Sequence, residues 1–310
     1  MKLLFLPVSM LLVLGCSPAT SGTSDGGGGP VDAGPIPDVG QPQCDAAACP
    51  SGACGPDGQC APGCSSNSDC ASGETCCNGA YCSNLGKDPQ NCGACGTACS
   101  TSQFCSGSSC VDAVVKNVCQ NASATDVLDT IDVDDDAGSR VGASLTAACA
   151  SLKLTSVPQG SPGTMDSTSG RPTTGPGNTY VAAGGGFGQK AIAYMNGARN
   201  APVFTVDDGA NVTLLRSSDG TTIVQAPISS LTAKHDFFVV YAAAEPVSGT
   251  LVFAVYGLYP AGTAAGAYWF QSQPPANLSS MTNQYYVYEW TDKGTDGPTA
   301  DDTFTLKASN

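Results

Sequence analysis

The chain has 310 residues, one His, and a formal net charge of −14 from 12 Lys+Arg against 26 Asp+Glu. That shortage of cations excludes a nucleic-acid binder, which needs clustered Lys/Arg to neutralise phosphates. The single His excludes multi-His zinc sites and leaves any Ser-His hydrolase one candidate base. Charged residues are 12% of the chain, about half the usual share, and the length suits about two domains.

The N-terminus reads as a targeting segment. Lys2 supplies a positive start and Leu3–Leu14 an apolar stretch that is too short for a bilayer-spanning helix of about 20 residues but suits a secretory signal. The stretch ends Val13-Leu14-Gly15-Cys16-Ser17, which resembles a bacterial lipobox. The resemblance implies cleavage after Gly15, acylation of Cys16 (palmitate among the chains) and, because Ser17 rather than Asp follows, sorting to the outer membrane. Several acyl chains make a stable anchor. Setting Cys16 aside from 17 cysteines leaves an even number, as a fully paired exported protein requires. Residues 17–43 hold seven Gly and five Pro and little to bury, so they read as a disordered tether. Gly22-Thr23-Ser24-Asp25-Gly26 within it matches G-x-S-x-G, but no strand precedes it, so it is not a nucleophile elbow. The expected organisation is a signal peptide over 1–15, the lipidated Cys and tether over 16–43, a disulfide-rich module over 44–111 and a β-sandwich-like domain over 112–310.

The module carries Cys44, Cys49, Cys54, Cys60, Cys64, Cys70, Cys76, Cys77, Cys82, Cys92, Cys95, Cys99, Cys105 and Cys110, yet from Cys44 to Cys110 the only large apolar residues are Tyr81, Leu85 and Phe104. So few cannot offset the entropy of ordering the segment, and disulfides have to hold it. The adjacent pair Cys76-Cys77, followed by Asp88-Pro89-Gln90-Asn91-Cys92-Gly93-Ala94-Cys95-Gly96-Thr97-Ala98-Cys99, resembles the stigma-specific-protein (Stig-type) cysteine-rich family. The resemblance covers about 50 residues and implies an extracellular interaction module without catalysis. Asn91, Gly93 and Gly96 suit turns that need positive φ. Metal or redox use of Cys92-x-x-Cys95 is disfavoured, because it belongs to a reducing compartment beside a βαβ pattern. The pairing is not readable from spacing.

Beyond residue 112 only Cys119 and Cys149 occur, and β-branched and aromatic residues become frequent. Ser139–Leu152 reads as a helix with Val141, Leu145, Ala148, Cys149 and Leu152 on one face. That turns Cys149 inward toward Cys119 as its expected partner. Residues 155–177 read as a Gly/Pro/Ser/Thr loop. Strand-like runs follow over Thr179–Ala183, Lys190–Met195, Pro202–Asp207, Asn211–Arg216, Thr221–Ala226, Asp236–Ala243, Thr250–Tyr256, Ala267–Gln271, Gln284–Glu289 and Thr303–Lys307. Pro246-Val247-Ser248-Gly249 reads as the turn of a central hairpin. About ten short strands with turn signals predict a mainly β chain whose last domain is a sandwich or jelly roll with one or two short helices. Gly262–Gln273 also admits a helical reading, because Ala, Gly and aromatics mix there without alternation.

Candidate sites are sparse. Gly184-Gly185-Gly186-Phe187-Gly188-Gln189-Lys190 lacks the P-loop spacing and reads as a tight turn between strands. His235 beside Asp236 has no nucleophile motif with it. Asp132, Asp134, Asp135 and Asp136 form one acidic cluster. Asp292, Asp296, Asp301 and Asp302 form another, whose Gly/Pro turn suggests a structural Ca²⁺, the only cofactor the sequence points to; no catalytic residue is identified. Asn121, Asn211 and Asn277 sit in N-x-[ST] sequons, which carry no weight behind a bacterial lipobox. Alternation puts Tyr286, Tyr288 and Trp290 on one face and Tyr285 on the other: a core row, or a platform for sugar rings. The sequence thus predicts a surface-exposed, lipid-anchored envelope protein with a binding or structural role toward an extracellular protein or glycan. The alternative is a secreted carbohydrate-active hydrolase or carbohydrate-binding protein. With only Glu74, Glu245 and Glu289 as glutamates, a hydrolase would lean on Asp.

Overall fold

The structure, a computed structural model, describes residues 63–100, 102–121, 127–130, 135–278, 280–294 and 297–310. The expectations for the signal peptide, Cys16, the tether and Cys44–Cys60 lie outside these residues. Everything described lies in the second of the two units into which the chain divides, 35–310.

The cysteine-rich region forms two hairpins. β1 (Thr75–Cys77) pairs with β2 (Tyr81–Ser83), and β3 (Gln103–Ser106) pairs with β4 (Ser109–Asp112), both antiparallel. The second turns through Gly107 and Ser108 at φ 56° and 64°, the two left-handed residues that a tight hairpin matching strand twist requires. Phe104 is 1% exposed and joins Ala113 and Val115 in the core of the following domain. The module therefore gives its one fully buried aromatic to its neighbour.

The domain itself begins with β5 (Val127–Thr130), α1 (Asp135–Ala148) and β6 (Thr155–Pro158). After a long turn-rich segment come β7 (Thr179–Gly185), α2 (Lys190–Gly197), β8 (Val203–Asp207), β9 (Asn211–Arg216) and β10 (Thr222–Pro227). The chain continues through β11 (His235–Ala244), β12 (Leu251–Gly257), α3 (Pro260–Ser272) and α4 (Pro275–Leu278), and closes with β13 (Tyr285–Thr291) and β14 (Thr303–Ser309). A seven-stranded sheet runs β14-β13-β11-β12-β7-β5-β6, and β10-β9-β8 form a separate three-stranded sheet. Strands β12, β7, β5 and β6 are parallel to one another, while β11, β13 and β14 pair antiparallel.

The chain is mainly β, as its pattern predicts, with a disulfide-rich region ahead of a domain of stacked sheets. Strand periodicity builds the layers. Along β11, Phe238, Val240, Ala242 and Ala244 enter a core shared with α1 and α3, whereas Phe237, Val239, Tyr241 and Ala243 enter one shared with the small sheet and α2. Both faces are covered, so β7, β11 and β12 read as continuous apolar runs. The central hairpin is present, with Tyr241 opposite Ala254 and Ala244 opposite Leu251.

Two expected strands are helices. Lys190–Met195 lies in α2, whose first turn is capped when the Gln189 side chain accepts from the Ile192 N–H at 2.9 Å. Ala267–Gln271 lies in α3, which starts with Pro260 in its first turn, a position that needs no N–H donor. Conversely, β5 and β6 fall where no strand is expected, since four residues are too few to show a period. The helix expected over 139–152 starts four residues earlier and ends at Ala148. Val141, Leu145, Cys149 and Leu152 are all buried as that periodicity requires.

Candidate functional site

Within the module the disulfides Cys64–Cys76, Cys70–Cys82, Cys77–Cys95, Cys92–Cys105 and Cys99–Cys110 form a chain in which each loop overlaps the next. Cys119 pairs with Cys149, the partner that the helical face predicts. The remaining candidates, Cys44, Cys49, Cys54 and Cys60, lie outside the described residues. Sulfurs of Cys64, Cys70 and Cys82, and of Cys92, Cys99 and Cys110, lie within 4.8 Å of one another. All six are in disulfides, so these groups present no thiolate to a metal.

Asp88 and Asn91 of the cysteine-rich region build a buried network. Asp88 accepts from the Ser83 hydroxyl at 2.6 Å, the Asn91 amide at 2.9 Å and the Gln90 N–H at 2.8 Å. The Asn91 Oδ1 accepts from the Gly96 N–H at 2.8 Å. Gly93 and Gly96 take φ of 78° and 77°, but Asn91 is not among the left-handed residues. Its role is side-chain bonding rather than the turn conformation expected of it.

Three of the four carboxylates of the acidic loop are described, and each has a different setting. Asp302 turns inward, accepting from Trp290 Nε1 at 3.0 Å, the Thr299 N–H at 2.9 Å and the Lys293 N–H at 3.1 Å. Those donors hold its pKa below the usual carboxylate value against the opposing effect of burial. Asp292 accepts from the Gly294 N–H at 2.8 Å and lies 3.8 Å from Lys234 Nζ. Asp301 is exposed, and Asp296 lies outside the described residues. Among the described residues no three carboxylates lie within 4.8 Å of one another. In the other cluster, Asp132 and Asp134 are outside the described residues, Asp135 opens α1, and exposed Asp136 pairs with Arg140 at 2.7 Å.

His235, Asp236 and the glutamates all hydrogen-bond within the protein. His235 Nε2 lies 2.9 Å from Glu289 Oε1, and Lys307 Nζ lies 3.2 Å from Glu289 Oε2. Asp236 is fully buried and holds the start of α3, accepting from the Tyr259 and Gly262 N–H groups at 3.1 and 2.6 Å. Burial pushes its pKa up to about 7 against the pull of these donors. Glu245 is buried, accepts from the Tyr194 hydroxyl at 2.9 Å and receives the Val247 and Ser248 N–H groups of the β11–β12 turn. Glu74 accepts from the Ala71 N–H at 3.2 Å.

The aromatic row is core. Tyr286 and Trp290 are buried on the α1/α3 face, with Tyr288 packed beside them, and Tyr285 is buried on the opposite face. Tyr288 stacks on Phe238 at a centroid distance of 5.3 Å and meets Trp269 at 4.4 Å. The glycine run links β7 to α2, a strand and a helix, with the Gly188 N–H bonding the Gly185 carbonyl at 3.2 Å. Phe187 stands 56% exposed at its tip.

Two features escaped the sequence reading. Asp129 lies on β5, fully buried at the carboxyl end of the parallel strands, the edge where open α/β sheets place ligands. Its Oδ2 accepts from the Tyr180 hydroxyl at 2.6 Å and from Gln189 Nε2, while its buried Oδ1 has no partner. Burial lifts its pKa to about 6, opposed by the Tyr180 and Gln189 bonds. Because Gln189 also caps α2, the carboxylate braces that helix start. The other feature is a cavity of about 270 Å³ lined by Arg199 and Arg216 between the module and the β domain. Neither left a sequence signal beyond one Asp in an Asp-rich stretch and two separate arginines. The chain matches no family model, no curated protein and no solved structure.

Proposed function

We propose that this chain is an exported bacterial lipoprotein, anchored in the outer membrane through Cys16, that presents a Stig-like module and a β domain outside the cell as a binding or structural element rather than a catalyst. The observation that carries the reading is the use of the polar groups. Every described cysteine is cross-linked, which suits an oxidising compartment. His235, Asp236, Asp302 and the three glutamates all serve as braces for turns, caps and strand edges. Among the described residues, the ring nitrogens of the lone His meet the Ser230 carbonyl and Glu289 and no hydroxyl, which speaks against a Ser-His pair. The Gly15-Cys16-Ser17 sequence supports the anchor.

The test is fractionation of cells making the full chain. Cys16→Ser is expected to move the protein from the membrane fraction to the soluble one, because removing the acyl chains removes the only anchor invoked. A Cys16→Ser protein that still sediments with membranes in detergent-free buffer overturns the anchor.

A further inference from the structure

Four buried polar atoms have no hydrogen-bond partner among the described residues: Asp129 Oδ1, the amide oxygen and nitrogen of Asn196, and the Tyr241 hydroxyl. They gather on one face of the seven-stranded sheet. Asp129 is level with Ala182 of β7, and Ala182 and Tyr241 belong to the core that α2 covers. Asn196 is on α2 itself and is 7% exposed. Burial pushes the pKa of the nearby Tyr256 hydroxyl up to about 12, opposed by Thr205 and Asn196, yet the Asn196 amide closes no hydrogen bond of ordinary geometry. Buried groups left in this state weaken the packing that encloses them.

The enclosing element is short. α2 has eight residues and buries Ala191, Ile192 and Met195, whereas β11 and β12 are buried along almost their whole length. Two side chains latch α2 shut. Gln189, just before it, donates to Asp129 Oδ2, and the Tyr194 hydroxyl donates to Glu245 at 2.9 Å. At its start the Lys190 N–H bonds the Gln159 side chain at 3.1 Å.

Glycine flanks α2 at both ends. Gly188 lies two residues before it and Gly197 is its last residue. A Cβ at either would meet nothing within 4 Å, and neither is among the positive-φ glycines. Packing and backbone conformation therefore require glycine at neither position, unlike Gly262 and Gly266 of α3, where a Cβ would run into β11. What Gly188 and Gly197 add is backbone freedom, the property of a hinge.

We propose that α2 is a lid, hinged at Gly188 and Gly197, whose opening hydrates Asp129 and Asn196 and uncovers the carboxyl ends of β5 and β7. Opening trades the burial of three apolar side chains and two latches for the hydration of groups that the closed form leaves unpaired. The place it uncovers is distinctive. α1 follows β5 on one face of the sheet, and α2 follows the neighbouring β7 on the other, which is the setting in which open α/β sheets form a crevice for ligands. The lid stands whether or not Cys16 is acylated.

Native-state hydrogen exchange of the full oxidised chain in low urea at pH 7 tests it. An eight-residue helix detached from its core is marginal in water, so opening exposes its amides. The amides of Ala193–Gly197 are expected to share one opening with shallow urea dependence, about a hundredfold or more as frequent as that of β11 and β12. The double variant Gly188→Ala/Gly197→Ala, in which each methyl has room, is expected to make that opening about threefold rarer or more. Asp129→Asn is expected to do the same, because it removes a buried charge from β5 and still offers Gln189 an oxygen; ordinary fraying of the helix ends would not follow that change. Amides of α2 that exchange only together with β11 and β12, or an opening frequency unmoved by Asp129→Asn or by the paired glycine substitutions, would overturn the lid.

Discussion

Asp129 shows how one buried carboxylate ties stability to pH. Its folded pKa near 6 lies above the unfolded value of about 3.9. Between roughly pH 4 and 6 the native state keeps a proton that the unfolded chain has released, so this residue lowers stability as pH rises through that window. Asp129→Asn is neutral at every pH and still offers one oxygen to Tyr180 and Gln189. It is expected to flatten that slope and to match or exceed the parent midpoint at pH 7.5 in urea unfolding. Asp129→Ala strands the Tyr180 hydroxyl and the Gln189 amide and is expected to cost about 2 kcal/mol or more. A slope between pH 4 and 6 that survives in the Asn variant would show that another group titrates there. The residue was invisible in the sequence because an Asp in a four-residue strand looks like any loop Asp.

Across elements, His235 on β11, Glu289 on β13 and Lys307 on β14 tie three neighbouring strands together. The His235 ring nitrogens face the Glu289 carboxylate and the Ser230 carbonyl, each at 2.9 Å. Both partners are acceptors, so the ring is best satisfied with two protons. Burial lowers its pKa, but Glu289 and Ser230 outweigh burial and the net direction is upward. A raised imidazole pKa gives stability that is fully present below about pH 6.5 and lost as pH rises through the folded pKa. Glu289→Gln is therefore expected to destabilise by about 0.5–1 kcal/mol at pH 5.5 and by less at pH 8.5, read from urea midpoints. An equal loss at both values would mean that Glu289 acts through Lys307 alone. Helix placement at this scale depends on close approach. A Cβ at Gly262 would lie 2.4 Å from the Phe237 carbonyl oxygen, and one at Gly266 would lie 3.0 Å from Phe238 and Val255. Those glycines let α3 lie on the sheet, and in the sequence the same glycines blurred the helical pattern.

For the molecule as a whole, covalent links and one shared core work together. The described module disulfides close loops with sequence separations from 11 to 18, and Cys119–Cys149 spans 30. A loop of that last size restricts the unfolded chain by about 3–4 kcal/mol. The double variant Cys119→Ala/Cys149→Ala is expected to lose about that much in denaturant unfolding while keeping the β-sheet circular dichroism signal, because α1 is also held in the core by Val141 and Leu145, with Leu152 just beyond its end. An unchanged midpoint would place the bridge outside the cooperative unit. Reducing the module disulfides is expected to reach the domain too, since Phe104 lies in the domain core and Lys87 and Pro89 crowd Gly177 and Gly249.

What the sequence determined by itself rests on local composition and short periods. Fourteen cysteines beside three large apolar residues required cross-links. Apolar runs such as Phe237–Ala244 required a β-rich core, and the face of Val141, Leu145 and Cys149 picked out Cys119 as a partner. Only the tertiary structure decided which module cysteines pair, since the spacings admit many closures. It made α2 and α3 helices, because a Gln189 cap and a glycine contact with β11 outweigh strand propensity. It also buried Asp302 against Trp290 and the Thr299 and Lys293 N–H groups. The meeting of Arg199 with Arg216 depends on chain segments crossing in space, which no local pattern encodes.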